Sequence, residues 1–286
     1  MIVDFHTHIE YKSDGSRYTA AEFVAAMDKG GIAKSVVLGG DQSDAGTKPA
    51  WADPAVMGAA AGLDDEAVAA FCGQYPDRLI GFGSIHPDRY QPERKVERAV
   101  EKLGLRGIKI YPHSGFYPND PRLNCAYRKC AELNVPVVIH TGIKAVRWQW
   151  MKYNRPIYVD DVATNFPDLK VVMCHGGFPW VDEFLAVVHC NPNIWVDISF
   201  LDYIEQTFHR PGLAEETVRR LAGLIGAERL LWGTEGPYMD LPLYGRHGPD
   251  NYARSQAFLV RRFDFLSEQE KQAILGGNAV KLLGLK

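Results

Sequence analysis

The chain opens Met1-Ile2-Val3-Asp4-Phe5-His6-Thr7-His8. A short apolar run with valine, isoleucine and an aromatic residue reads as a buried strand. Side chains two apart on a strand point to the same face, so His6 and His8 converge on one spot. Two neutral imidazoles side by side at a strand end make half of a metal site. Nine histidines in 286 residues make a chance His-x-His pair unsurprising. The weight of the pair therefore depends on whether the rest of the chain supplies further ligands.

Apolar runs of the same kind recur at residues 35–38, 79–85, 107–111, 135–140, 169–175, 194–199 and 230–235, several of them closed by Gly or Pro. Helical stretches lie between them. Thr19 with Glu22 three residues later starts one that runs to Gly30. Asp64 starts another, to about Tyr75, and Pro92 opens a charged helix reaching Gly104. A further helix spans 121–134, and helices over 250–266 and 267–283 finish the chain. Eight near-continuous apolar strands separated by helices imply a buried parallel sheet. Right-handed crossovers and the count of eight favour an α/β chain closed into a (β/α)8 TIM barrel over an open doubly wound sheet. No Gly-x-Gly-x-x-Gly follows the first strand, which argues against dinucleotide binding. One domain over residues 1–286 is expected.

Hydrophobic residues at 46% supply a sizeable core, and the formal charge of −3 argues against nucleic acid or an anionic membrane as partner. No apolar run approaches the roughly 18 residues of a membrane span, and the N-terminus lacks the pattern of a signal peptide. The five cysteines are odd in number and contain no Cys-x-x-Cys. Reduced thiols in a cytoplasmic protein are the expectation. The small-residue connection at 41–62 exceeds the usual loop length and reads as a lid or a contact arm.

In such barrels chemistry sits at the C-terminal ends of the strands. His6 and His8 end the first strand, Lys109 the fourth, His140 the fifth, His175 the sixth and Glu235 the eighth. Each alone has a reading as a satisfied polar residue, but their coincidence at one rim is harder to dismiss. The stretches Asp4-Phe5-His6-Thr7-His8, Gly107-Ile108-Lys109-Ile110-Tyr111-Pro112, Val137-Val138-Ile139-His140-Thr141-Gly142, Val171-Val172-Met173-Cys174-His175-Gly176-Gly177 and Trp232-Gly233-Thr234-Glu235-Gly236-Pro237 carry a resemblance. Phe166 to Lys170 and Gly277-Asn278-Ala279 add to it. The chain resembles the amidohydrolase superfamily, in the branch that contains aminocarboxymuconate-semialdehyde decarboxylase, resorcylate decarboxylase and small metal-dependent hydrolases. The resemblance covers nearly the whole chain.

It implies that His6, His8 and His140 bind a metal, leaving room for water or substrate as a catalytic site requires. It also implies that His175 is the acid/base or substrate-polarising group. The eighth-strand carboxylate, normally Asp, is Glu235 here. One added methylene moves the carboxylate by about an ångström, a scale to which catalytic geometry is sensitive. Glu235 then ligates the metal, takes a proton from water, bridges a second ion, or marks a changed chemistry. Lys109 is a carbamylated bridging ligand in two-metal relatives and a packing residue in single-metal ones, and the packing reading is preferred. Asp197 at the end of the seventh strand supports a ligand from behind. Cys174, next to His175 on a strand, should face away from it, and His113 reads as a solvated loop residue. Arg147, beside Trp148 and Trp150, and Arg246, beside His247, are the candidates for holding a substrate carboxylate.

The implied function is a metal-dependent hydrolase that uses metal-activated water on a small, carboxylate-bearing substrate. The cofactor is a divalent ion, zinc first, with manganese or iron as alternatives. Three competing functions are carried: a non-oxidative decarboxylase of the same branch, a metal-dependent oxygenase favoured by the extra carboxylate, and a catalytically silent barrel acting as a subunit. Partners are a small molecule, with neither nucleic acid nor membrane, and a second copy in a homodimer as the resemblance suggests. The loops at 41–62, 141–155 and 237–250 carry no readable substrate pattern.

Overall fold

Eight strands follow one another in chain order across one sheet: β1 (Val3–Thr7), β2 (Lys34–Leu38), β3 (Leu79–Ser84), β4 (Ile108–Ile110), β5 (Val137–Ile139), β6 (Val171–Cys174), β7 (Ile194–Asp197) and β8 (Leu230–Leu231). The computed structural model describes residues 1–9, 16–40, 64–88, 91–144, 149–236 and 260–285. The pairs are parallel, with β4 and β5 in register as Ile108 with Val137 and Ile110 with Ile139. A parallel bridge from Thr7 to Glu235 returns the order to β1. The chain is a (β/α)8 barrel, as its alternating pattern predicts.

Parallel strands need crossovers, and helices supply them. They are α1 (Ala20–Gly30), α2 (Asp65–Cys72), α3 (Pro92–Glu97), α4 (Asn124–Glu132), α5 (Ile157–Asn165), α6 (Val181–Cys190), α7 (Leu201–Thr207), α8 (Leu213–Ile225), α9 (Glu268–Gln272) and α10 (Asn278–Leu283). The expected capping box at Thr19 and Glu22 is formed, and a second one, Ser267 with Glu270, starts α9. Four helices, α5 to α8, fill crossovers for which the sequence reading gives no helix bounds. The signal for α8 is present: Leu213, Thr217, Val218, Leu221 and Ile225 are buried along one helical face. The helix expected over 250–266 lies partly outside the described residues. Its described part, from Val260, is a series of turns, and Val260, Phe263 and Leu266 are buried there. A three-residue apolar spacing suits turns that face the core as well as it suits a helix.

The chain's contacts fall into two compact units, one of Met1–Val37, Phe71–Ile80 and Val196–Lys286, the other of Leu38–Ala70 and Gly81–Trp195. In the first, every residue of β1 is buried, its polar ones included. Phe5 N–H donates to the carbonyl of Trp232 at 2.9 Å, which joins β1 to the segment after β8. In the second, β4, β5 and β6 are buried along their whole length, as a sheet covered on both faces requires. Gly107 enters β4 against the ring of Phe82, where an added Cβ would lie 2.2 Å from Cε2. Phe82 is itself fully buried, so Gly107→Ala is expected to cost about 1–3 kcal/mol through overpacking. Urea denaturation read by tryptophan fluorescence checks this, and an unchanged midpoint would count against so close an approach.

No helix among the described residues is long and apolar enough to cross a membrane. No disulfide joins any of the five cysteines.

Candidate metal centre

In the first unit, the two-residue strand period does what it should. His6 Nε2 and His8 Nε2 are 3.2 Å apart. Glu235 joins them, its Oε1 3.4 Å from His6 Nε2 and its Oε2 3.6 Å from His8 Nε2. Donors about 2.0–2.1 Å from a tetrahedral ion lie about 3.3 Å from one another. The separations here are close to that value, each Glu235 oxygen facing a different imidazole, so the donor set suits a divalent ion. Glu235 reaches the pair despite its extra methylene. Its backbone adopts φ 73°, a left-handed conformation that costs a non-glycine residue about 1–3 kcal/mol and that persists mainly at functional sites.

Groups behind this trio hold it in place. His6 Nδ1–H donates to Asp197 Oδ2 across 191 residues of chain, which leaves Nε2 with its lone pair toward Glu235 and His8. Asp197 thus stands behind His6 from the end of β7. Ser199 Oγ lies 3.1 Å from Asp197 Oδ2 and donates to Glu235 Oε1 at 3.0 Å. Its backbone N–H donates to Asp197 Oδ1 at 2.8 Å. Sequence reasoning does not pick out Ser199, though its position two residues past Asp197 is the same period-two signal as His6 and His8.

Asp4 is the other unpredicted member. Its Oδ1 accepts the N–H groups of His6 (3.2 Å) and Thr234 (3.0 Å), and its Oδ2 accepts the Thr234 hydroxyl at 2.5 Å. Complete burial pushes its carboxyl up to about 7, against the pull of those three donors, and nearby Asp197 adds to the rise. Asp4 thereby ties β1 to the segment that carries Glu235. Gly233 allows the close approach, since a Cβ there would meet His6 Cβ at 2.6 Å.

A second cluster belongs to the other unit. His140 follows β5 and His175 follows β6, with His175 Nε2 3.2 Å from His140 Nδ1. His140 Nε2 lies 2.8 Å from the carbonyl of Ile143, so its proton sits there and Nδ1 keeps the lone pair. His175 takes φ 65°. That turn ends the strand alternation at Cys174 and overturns the expectation that the two residues face apart: the Cys174 thiol and a His175 ring nitrogen lie within 4.8 Å. Lys109 is fully buried. Its Nζ donates to Cys174 Sγ at 3.2 Å and sits 5.3 Å from the Tyr111 ring centroid.

His113 is 2% exposed rather than solvated. Its ring is 4.5 Å from that of His140. Burial, with the charges of His140 and Lys109 adding to it, holds its pKa well below the ordinary value, so the ring is neutral. Asn154, also fully buried, has no signal in the sequence. Arg147 and Arg246, with Trp148 and His247, lie outside the described residues.

The structure therefore brings His6, His8 and Glu235 together in one unit and pairs His140 with His175 in the other. An eight-stranded α/β barrel with histidines and a carboxylate at its strand ends is an enzyme scaffold with polar chemistry at the ends of its strands. The chain belongs to the amidohydrolase family, whose model matches residues 3–285, and it is an enzyme of that family. It is 27% identical over 267 residues to 2-amino-3-carboxymuconate-6-semialdehyde decarboxylase of Dictyostelium discoideum, covering 82% of this chain and 69% of that protein. It superposes on the structure of a probable 2-pyrone-4,6-dicarboxylic acid hydrolase of Acinetobacter baumannii with citric acid bound, at TM-score 0.71 and 17% identity over 99% of each chain. It also superposes on 5-carboxyvanillate decarboxylase of Novosphingobium aromaticivorans complexed with manganese and 4-hydroxy-3-methoxy-5-nitrobenzoic acid. There the TM-score is 0.65 and the identity 18%, over 100% of this chain and 96% of that one.

Proposed function

We propose that this chain is a metal-dependent hydrolase of a small, carboxylate-bearing organic substrate, and that residues 1–286 form one domain serving that site. The observation that carries the metal is the His6–His8–Glu235 trio, with donor separations of 3.2, 3.4 and 3.6 Å. The family pattern adds His140 as a further ligand and His175 as acid/base, with Lys109 a ligand only if a second ion is bound and otherwise a packing residue, and these assignments rest on sequence position. A bound divalent ion supplies Lewis acidity and lowers the pKa of water. Asp197 fixes the His6 ring through Nδ1, and Ser199 holds Glu235 by Oε1, which leaves Oε2 to take a proton from the attacking water. The contact of His175 Nε2 with His140 Nδ1 orients the His175 ring for returning a proton to the leaving group. Zinc remains the expected ion, and the manganese of the carboxyvanillate decarboxylase structure makes manganese the alternative.

Decarboxylation is the second reading, favoured by the 27% identity to the muconate-semialdehyde decarboxylase. It asks the same groups to hold the substrate while His175 protonates the carbon that loses carbon dioxide. Product analysis separates the two. Zinc- and manganese-loaded protein is offered 2-pyrone-4,6-dicarboxylate and 5-carboxyvanillate, with ring opening and carbon dioxide release followed side by side. Ring opening that stops on chelation and returns with metal is expected. Carbon dioxide release from carboxyvanillate establishes the second reading instead, and full turnover by metal-free protein overturns both.

A further inference from the structure

In the unit of β4 to β6, the buried atoms His113 Nε2 and Asn154 Oδ1 have no hydrogen-bond partner among the described residues. Buried polar groups are nearly always paired, so an orphan of this kind points to something the protein is built to receive. The surrounding bonds settle where the protons are. Asn154 Nδ2 donates to the carbonyl of Gly142 at 3.1 Å. A carbonyl only accepts, so the amide cannot be turned over. The other Nδ2 proton faces His113 Nδ1 at 3.5 Å, which makes Nδ1 an acceptor. With Nδ1 accepting, the ring carries its N–H on Nε2. The ring is held from its backbone as well, because the Trp150 N–H donates to the His113 carbonyl at 2.9 Å. His113 lies in the short turn Pro112–Ser114 directly after β4, at the strand end where barrel enzymes bind substrates.

We infer that His113 is a substrate-binding residue whose Nε2–H donates to a carboxylate or carbonyl oxygen of a small organic acid, with Asn154 as the positioning residue that keeps a proton on Nε2. A fixed, buried donor selects for an oxygen acceptor in that place and discriminates against an analogue lacking it, which would leave the donor unpaired. The ligand class rests on the function proposed above. The donor itself rests on the hydrogen bonds of this unit alone.

The test uses the full chain labelled with 15N-histidine, zinc-loaded and metal-free, with citrate and 4-hydroxy-3-methoxy-5-nitrobenzoate as probes. Nitrogen shifts are expected to show His113 in the Nε2–H form, and its resonance is expected to move as at least one acid is added. Calorimetry on His113→Leu should show that acid bound about tenfold to a hundredfold more weakly than by the parent. Metal content should be unchanged, and His113→Gln, which keeps an N–H donor, should recover most of the loss. An Nδ1–H form, a resonance indifferent to both acids, or equal affinity in His113→Leu overturns the inference. If His113→Leu does not fold, the wild-type shifts decide alone. Failure to take up any metal overturns the metal-centre reading, while the shifts of metal-free protein still report on His113.

Discussion

Replacing His8 by alanine is expected to weaken binding of a divalent ion at least a hundredfold and to leave the fold intact. His8 contributes one donor to the trio, with Nε2 3.2 Å from His6 Nε2 and 3.6 Å from Glu235 Oε2. A four-ligand zinc site is worth about 10–16 kcal/mol, so one ligand carries roughly a quarter of that, a factor of about 10²–10³ in affinity. His8 is 28% exposed, and its removal leaves no buried group unpaired in the way that removing His6 would strand Asp197. Asp197→Asn makes the contrast. It keeps the shape but weakens the acceptor behind His6 Nδ1, and losses from such changes are about tenfold to a hundredfold. Elemental analysis after dialysis against buffered zinc or manganese measures both. Undiminished metal in His8→Ala would remove the centre from this chain.

The second large effect is on stability. Asp4→Ala should cost about 3–5 kcal/mol, because it abandons three buried donors at once: the N–H groups of His6 and Thr234 and the Thr234 hydroxyl. Asp4→Asn should cost only about 1 kcal/mol. Its remaining oxygen still accepts both N–H groups, and the Thr234 hydroxyl can turn to accept from the new amide. Urea unfolding with matched slopes distinguishes the pair. An alanine variant within 1 kcal/mol of the parent would show that β1 and the Glu235 segment are joined by other means. The same variants bear on function, since a loosened Thr234 displaces its neighbour Glu235.

Several features were legible before the fold was known, for one reason: their physics is local. Alternation of short apolar runs with helical stretches implied the eight-stranded barrel, and the Thr19–Glu22 box marked the start of α1 where it lies. The period of two along a strand put His6 and His8 on one face. The same period did not help with His175, because its positive φ breaks the alternation at Cys174. Nor did it help with His113, where burial comes from the packing of Tyr111, His140 and Asn154 around a turn. The crossovers carrying α5 to α8 lacked the caps that made α1 readable, and their amphipathic faces are plain only with the core in place.

What the sequence determined by itself is the barrel, the family and the histidine pair, because strand period, helix caps and turn residues act between neighbours in the chain. Tertiary structure alone decided that the side chain of Glu235 meets His6 and His8. Ser199 and Asp197, 36 and 38 residues before Glu235 in the chain, meet it and His6 only when β7 and β8 are laid beside β1. The reach of a carboxylate depends on the backbone angle beneath it and the donor holding it, and both are products of packing.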